Sequence, residues 1–99
     1  MEVVHRDPEE YRKWLKRLGT NDRAGVLRRL DLLTIGGVEI GLPNVRRISA
    51  LLWELRVPSG LRLYFTTDGD LTVFVRYGNK DTQRTDIATA TMRVQELHR

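Results

Sequence analysis

Three short segments with strand character, over residues 51–57, 61–67 and 71–77, follow one another with only tight turns between them. This arrangement constrains the fold more than any other feature. Pro58-Ser59-Gly60 and Asp68-Gly69 are turn-forming sequences typical of hairpins. In the first two segments apolar residues alternate with other residues, so each strand has one face for a core and one for charged side chains. The sequence therefore predicts an antiparallel three-stranded meander.

The polar face of the first two strands is the first candidate functional site. It carries Glu54, Arg56, Arg62 and Tyr64. Arginine binds phosphate oxygens bidentately and a tyrosine ring can stack on a base, so this face suits a phosphate and a stacked base better than a core. If Val57 pairs with Leu61 across the turn, the two arginines lie opposite each other. Their like charges then repel unless a bound anion or the Glu54 carboxylate lies between them.

The register of the second hairpin stays open. A two-residue loop at Asp68-Gly69 places Phe74 on the face of Leu63. A three-residue loop through Asp70 instead places Leu71, Val73 and Val75 there. The face that Arg76 joins is undecided.

Amphipathic helices are predicted on both sides of the meander. The first begins at the capping sequence Asp7-Pro8-Glu9-Glu10 and ends at Gly19; the second runs from residue 20 or 21 to Gly36. A third spans roughly residues 82–97. Their inward residues are predicted to be Tyr11, Trp14, Leu15 and Leu18, then Val26, Leu27, Leu30 and Leu33, then Ile87, Ala88 and Met92 with Val94 or Leu97.

Two further segments complete the prediction. Residues 2–5 form an edge strand, and residues 36–50 form a loop with at most one short ordered piece around residues 45–48. The expected fold class is α+β, with an N-terminal strand, a helical hairpin, the meander and a C-terminal helix in one domain over residues 1–99.

Composition narrows the functional classes. The chain has no apolar run long enough for a bilayer and no secretory leader, so we expect a cytoplasmic protein. It has no cysteine, no His, Asp and Glu cluster with metal-ligand spacing, and no glycine-rich phosphate loop, so no metal and no cofactor are expected. Fourteen of the 17 basic residues are arginine and the net charge is +4, which favours a polyanionic or acidic partner.

The local sequence resembles the RelE/ParE superfamily of bacterial toxins, and within it the HigB-like "addiction module killer" branch. The resemblance covers nearly the whole chain. It rests on Trp14-Leu15, Arg29-Leu30, Glu54-Leu55-Arg56, Gly60-Leu61-Arg62-Leu63-Tyr64-Phe65, Gly78-Asn79-Lys80, Gln83, Asp86-Ile87, Ala88 and Ala90.

The resemblance implies a toxin held inactive by an antitoxin and, for RelE- and HigB-like members, metal-independent cleavage of messenger RNA on the ribosome. In such cleavage the ribose 2′-hydroxyl attacks the adjacent phosphate, and the protein must stabilise the extra negative charge. Arg62 matches the family's arginine on the second meander strand, and Lys80 matches its basic position after the third. The residues predicted to be catalytic are Arg62, Arg56, Lys80 and Tyr64, and those predicted to bind RNA are Glu54, Arg76, Gln83 and Arg84.

One departure from the family pattern concerns stacking: Leu61 stands where many relatives have an aromatic residue. A second concerns the acid and base, because His5 and His98 are interpreted as structural or solvated. Proton transfer is then left to Glu54, Lys80, Tyr64 or ribosomal groups.

Two alternatives remain: a ParE-like toxin that inhibits DNA gyrase by binding protein, and an inactive interaction domain. The expected partners are the ribosome with its mRNA and an antitoxin with a helix-turn-helix domain, which covers the basic groove or displaces the last helix. DNA is contacted only through that antitoxin, and no membrane is involved.

Overall fold

A computed structural model describes all residues from Met1 to Arg99. One five-stranded sheet has helices on both faces. The elements are β1 (Glu2–His5), α1 (Pro8–Arg17), α2 (Thr20–Gly36), a 3-10 turn (Gly37–Ile40), β2 (Val45–Arg47), β3 (Trp53–Arg56), β4 (Leu61–Asp68), β5 (Leu71–Asn79) and α3 (Gln83–Leu97). The strand order is β1-β5-β4-β3-β2, with β1 parallel to β5 and the other pairs antiparallel. The predicted α+β fold is confirmed, and β2 lies where the short ordered piece was expected. The 3-10 turn is a second ordered piece in a segment predicted to contain at most one, so that limit was wrong.

The turn between β3 and β4 fixes the register of the candidate site. The Val57 amide donates to the Leu61 carbonyl at 3.0 Å, and Arg56 pairs with Arg62 across the two strands. Gly60 completes the turn with a φ of +100°, a backbone conformation that favours glycine. The predicted opposition of the two arginines is therefore confirmed.

A β-bulge decides the faces of β5. Asp68 pairs with Leu71, so the loop is Gly69-Asp70, one residue later than the predicted Asp68-Gly69. Phe74 joins the core that contains Leu63, as the two-residue alternative predicts. The register then shifts by one residue after Phe74, and this places Arg76 opposite Tyr64 on the α3 face.

Each face of the sheet has its own hydrophobic cluster. The cluster between the sheet and helices α1 and α2 contains Val26, Leu33, Val45, Leu55, Val57, Leu61, Leu63, Phe65, Phe74 and Tyr77. The cluster between the sheet and α3 contains Leu52, Tyr64, Val75, Ala90 and Val94. Three inward assignments are wrong, because Leu27 is 47% exposed, Met92 is 63% exposed and Ala88 also faces solvent. Helical periodicity located the inward faces of α2 and α3 only to within one position, because apolar residues are not concentrated on one side of either helix.

The first helix start agrees with its predicted cap. The Asp7 side chain accepts hydrogen bonds from the amides of Glu9 and Glu10, both at 3.1 Å. The Glu10 carboxylate does not close a capping box. It binds Arg93 of α3 in a two-bond ion pair, with distances of 2.8 and 3.1 Å, and so joins the first helix to the last. None of the helices combines the length and the apolar character that crossing a membrane requires.

Candidate functional site

A cleft of about 470 Å³ lies where the β3–β4 turn, the end of β5 and α2 meet. Four cationic side chains line it, and no acidic side chain does. They are Arg29, Arg56, Arg62 and Lys80. The remaining walls are formed by Pro43, Asn44, Val57, Pro58, Ser59 and Gly60. A concave surface with four positive charges and no negative one is suited to an anion.

Each cation is brought to the cleft by a different element. The β3–β4 register places Arg56 beside Arg62. Lys80 is held against the turn, because its amide donates to the Gly60 carbonyl at 2.8 Å. The approach of α2 positions Arg29: a Cβ added at Gly25, one helical turn earlier, would lie 3.2 Å from the Val57 side chain. The cleft therefore depends on tertiary packing as well as on the hairpin.

Beneath the arginines lies a completely buried carboxylate, that of Glu54. Its Oε1 is 3.3 Å from Nε of Arg56 and 3.6 Å from Nε of Arg62. Its Oε2 accepts a hydrogen bond from Gln83 at 2.7 Å and lies 3.4 Å from a guanidinium nitrogen of Arg46. Three guanidinium groups thus surround one carboxylate, and the cluster keeps a net positive charge.

The buried carboxylate explains how the two facing arginines coexist. Any two like charges about 4 Å apart repel by about 4 kcal/mol at an effective dielectric constant of about 20. Glu54 offsets part of that repulsion from below, and an anion in the cleft can offset the remainder from above. Glu54 was predicted to contact RNA; its burial keeps the carboxylate away from solvent in this conformation, so such a contact stays a prediction.

Tyr64 lies in the cluster under α3, with no exposed surface. It does not line the cleft, and its hydroxyl is buried without a hydrogen-bond partner. Burial, together with the nearby Glu54 carboxylate, raises the pKa of Tyr64 above its ordinary value. The position favours a packing role for Tyr64, and stacking on a base would require α3 to move.

Arg76, Gln83 and Arg84, which were predicted to contact RNA, do not lie together in one site. Arg76 binds the buried Asp86 carboxylate, with Nε 2.8 Å from Oδ1. Gln83 donates to Glu54, which links the first turn of α3 to the arginine cluster. Arg84 is exposed on the same turn. Of these three, only Gln83 is connected directly to the residues around the cleft, and RNA binding by all three stays a prediction.

Gly78 permits the close docking of α3. It pairs with Arg62 on β4, and a side chain there would collide with the Asp86 carboxylate and lie 2.7 Å from Oγ1 of Thr82. Thr82 donates to the same carboxylate. A residue without Cβ is thus required where the helix start crosses the strand.

Neither histidine lines the cleft. His5 stacks on Tyr11 with ring centres 3.7 Å apart, and its Nδ1 lies 2.6 Å from the Tyr77 hydroxyl. Burial lowers the pKa of His5 to about 4. His98 Nε2 lies 3.0 Å from the hydroxyl of Thr66. These contacts are structural, in agreement with the interpretation from sequence.

Arg29 is the cleft residue that the prediction did not single out. It lies beside Arg28 on α2, and nothing in the local sequence separates the two. Only the packing of α2 against the turn brings it to the cleft. The structure also contains no group of three or more His, Asp or Glu side chains placed to hold a metal ion.

Residues 13–95 match the model of a family described as phage derived protein Gp49-like (DUF891). The chain belongs to this Gp49-like family. Gp49-like proteins are a RelE-like toxin family of toxin–antitoxin systems, so the toxin class predicted from the sequence is confirmed. The matched region of this Gp49-like chain includes all four cations of the cleft. No curated protein matches the chain.

Proposed function

We propose that this Gp49-like toxin is a metal-independent endoribonuclease that cleaves messenger RNA on the ribosome, as in the HigB-like branch of the RelE superfamily. The observation that carries the proposal is the cleft lined by Arg29, Arg56, Arg62 and Lys80 without an acidic side chain. A phosphodiester is the common biological anion that such a cleft, open to solvent on one side, can accept as part of a chain.

The proposed reaction is an internal transfer at phosphorus. The ribose 2′-oxygen attacks the adjacent phosphorus, the bond to the 5′-oxygen breaks, and the products are a 2′,3′-cyclic phosphate and a free 5′-hydroxyl. Arg56 and Arg62 bind the non-bridging oxygens as negative charge accumulates, where each well-placed donor contributes about 3 kcal/mol. Lys80 lines the cleft and is exposed, and it protonates the leaving 5′-oxygen.

The lining has neither a carboxylate nor an imidazole to accept the proton of the 2′-hydroxyl. Tyr64 does not supply one, because burial raises its pKa and keeps it neutral at physiological pH. We therefore assign the proton acceptor to a group of the ribosomal complex. This makes cleavage depend on the ribosome for chemistry as well as for access to mRNA.

This cleft binds the phosphate backbone of RNA and not its bases. None of the aromatic side chains lines the cleft, and Leu61 occupies the position before Arg62 where a stacking ring was expected from the family. Base stacking contributes about 1–3 kcal/mol per base where it occurs. Without it, the toxin itself discriminates little between bases, and any codon preference arises from the ribosome.

The proposed regulatory partner is an antitoxin with a helix-turn-helix domain. An antitoxin segment with carboxylate side chains that enters the cleft would compete with phosphate for the same arginines. DNA would then be contacted through the antitoxin.

Cleavage of a defined mRNA in a purified translation system tests the proposal. Wild type is expected to cut only the translated message and to leave 2′,3′-cyclic phosphate ends. Arg62→Gln is expected to lower the cutting rate on the order of 10²-fold, as for the loss of one charge-stabilising donor. Arg28→Gln, an exposed change on α2, serves as the matched control. An intact message in this system, from a protein that still arrests the growth of cells, would refute the nuclease and favour a gyrase-type protein target.

A further inference from the structure

We infer that Glu54 is a positioning residue: its buried carboxylate fixes the directions of Arg56 and Arg62 toward a phosphate, at the cost of weaker RNA binding. The inference deepens the proposed function and rests on it. It assigns to Glu54 neither contact with the substrate nor proton transfer.

The burial of Glu54 is the first argument. The Glu54 carboxylate is fully buried, accepts hydrogen bonds from Gln83 and Arg46, and lies within 3.6 Å of Arg56 and Arg62. A charge buried in this way is stable only where cations pair with it. Two of the surrounding arginines also line the cleft, and Arg62 is itself only 8% exposed. Glu54 therefore influences an anion in the cleft through the positions of these two arginine side chains.

The carboxylate contacts the same atom, Nε, of both cleft arginines. Glu54 Oε1 lies 3.3 Å from Nε of Arg56 and 3.6 Å from Nε of Arg62 as an ion-pair partner, and it makes no hydrogen bond to either. A negative charge beside the Nε edge attracts that edge of the guanidinium plane and leaves the terminal NH₂ groups for other acceptors. One terminal nitrogen of Arg62 donates to the Leu61 carbonyl at 3.1 Å, which restrains it further. Two oriented guanidinium planes are a preorganised receptor for the oxygens of one phosphate.

The link to α3 is the third argument. Gln83 supplies the only hydrogen bond to the carboxylate that comes from outside the sheet. It holds Oε2 and so leaves Oε1 to the arginines of the cleft. Displacement of the first turn of α3 would therefore disturb the arginines without touching them.

The Glu54→Gln substitution should change RNA affinity and cleavage rate in opposite directions, which makes the inference testable. Removal of one negative charge strengthens the attraction for RNA, by about threefold for a phosphate roughly 6 Å away at the dielectric constant of water and by more at the lower value of a buried site. Loss of arginine alignment slows the chemical step, and a misplacement near 1 Å can cost on the order of 10²-fold. A residue that merely supports the fold would not raise affinity while lowering the rate.

The experiment measures both quantities on the full chain. Binding is measured with a fluorescent RNA heptamer whose riboses are 2′-O-methylated, and the rate with the translated message under single-turnover conditions. Glu54→Gln is expected to bind at least about threefold more tightly and to cleave on the order of 10²-fold more slowly. Glu96→Gln, which removes an exposed negative charge on α3, is expected to change the rate less than twofold.

A second readout does not depend on cleavage. The Nε–H resonances of Arg56 and Arg62, assigned with the corresponding Lys variants, are expected to be resolved in wild type and to collapse to the solvent-exposed position in Glu54→Gln. Gln83→Ala, which changes no charge, is expected to broaden them and to lower the rate by about tenfold. It keeps the test valid if Glu54→Gln does not fold.

The possible results separate this inference from the proposed function. Wild type that binds but never cleaves would refute the nuclease, while the resonances still decide the role of Glu54. Unchanged resonances in Glu54→Gln together with a lost rate would overturn positioning and make Glu54 a proton acceptor. A full rate in both variants would also overturn it.

Discussion

Replacement of Tyr64 by Phe decides between packing and chemistry for this residue. The Tyr64 side chain is fully buried under α3 and its hydroxyl has no hydrogen-bond partner. A buried polar group left unpaired costs about 1–3 kcal/mol. Because the ring remains in place, we expect Tyr64→Phe to raise the free energy of unfolding by about 1 kcal/mol, at the lower end of that range. For a domain of this size, that corresponds to a rise in Tm of about 4–8 °C.

Tyr77→Phe is the matched control in the same sheet. The Tyr77 hydroxyl lies 2.6 Å from Nδ1 of His5, so its removal breaks a hydrogen bond and leaves a half-buried imidazole nitrogen unpaired. We expect this change to lower the free energy of unfolding by about 1–2 kcal/mol. The two substitutions remove the same atom from the same residue type, and only the partner differs.

Urea denaturation followed by circular dichroism measures both variants. Opposite signs for the two changes in stability are the predicted result. A loss of 1 kcal/mol or more for Tyr64→Phe would refute the reasoning, because it would mean that the hydroxyl has a partner. Unchanged stability with lost RNA cleavage would instead place the hydroxyl at the reacting phosphate.

Three further outcomes are expected. Gly78→Ala should lower the free energy of unfolding by about 3 kcal/mol, because it displaces the Asp86 contacts, whereas Gly19→Ala in open space should cost less than about 1 kcal/mol in the same urea titration. Burial lowers the pKa of His5 from its ordinary value of 6.5 to about 4, so between these pH values the unfolded chain binds more protons than the folded protein. The free energy of unfolding should therefore fall as the pH falls from 6.5 to about 4, and this dependence should be weaker in a His5→Gln variant. Arg29→Gln should reduce the slope of log affinity for single-stranded RNA against log salt by about 0.7, and Arg28→Gln should leave it unchanged.

Local sequence rules were sufficient for the strands and helix starts. The alternation over residues 51–67 and the Pro58-Ser59-Gly60 turn predicted the pairing of Arg56 with Arg62, because period two and a short loop leave few registers. The bulge near Phe74 has no comparable signature. It depends on how β5 accommodates two packed faces, and it decided the face of Arg76.

The candidate site was predictable in part for the same reason. Arg56, Arg62 and Lys80 lie on or next to the hairpin, so local structure already brings them together. Arg29 comes from another element, and its contribution depends on how closely α2 approaches the turn. The burial of Tyr64 likewise follows from the docking of α3, which no strand pattern encodes.

The most direct test of the account is growth arrest with cleavage mapping after induced expression in living cells. Wild type, Lys80→Ala and Arg62→Gln are compared on a translated and an untranslated copy of one transcript, with Arg28→Gln as the control for lost positive charge. We predict arrest and cuts confined to the translated copy for wild type and the control, and neither for the cleft variants. Arrest that persists in folded Arg62→Gln, or arrest without any cut, would contradict the assignment of function to this cleft.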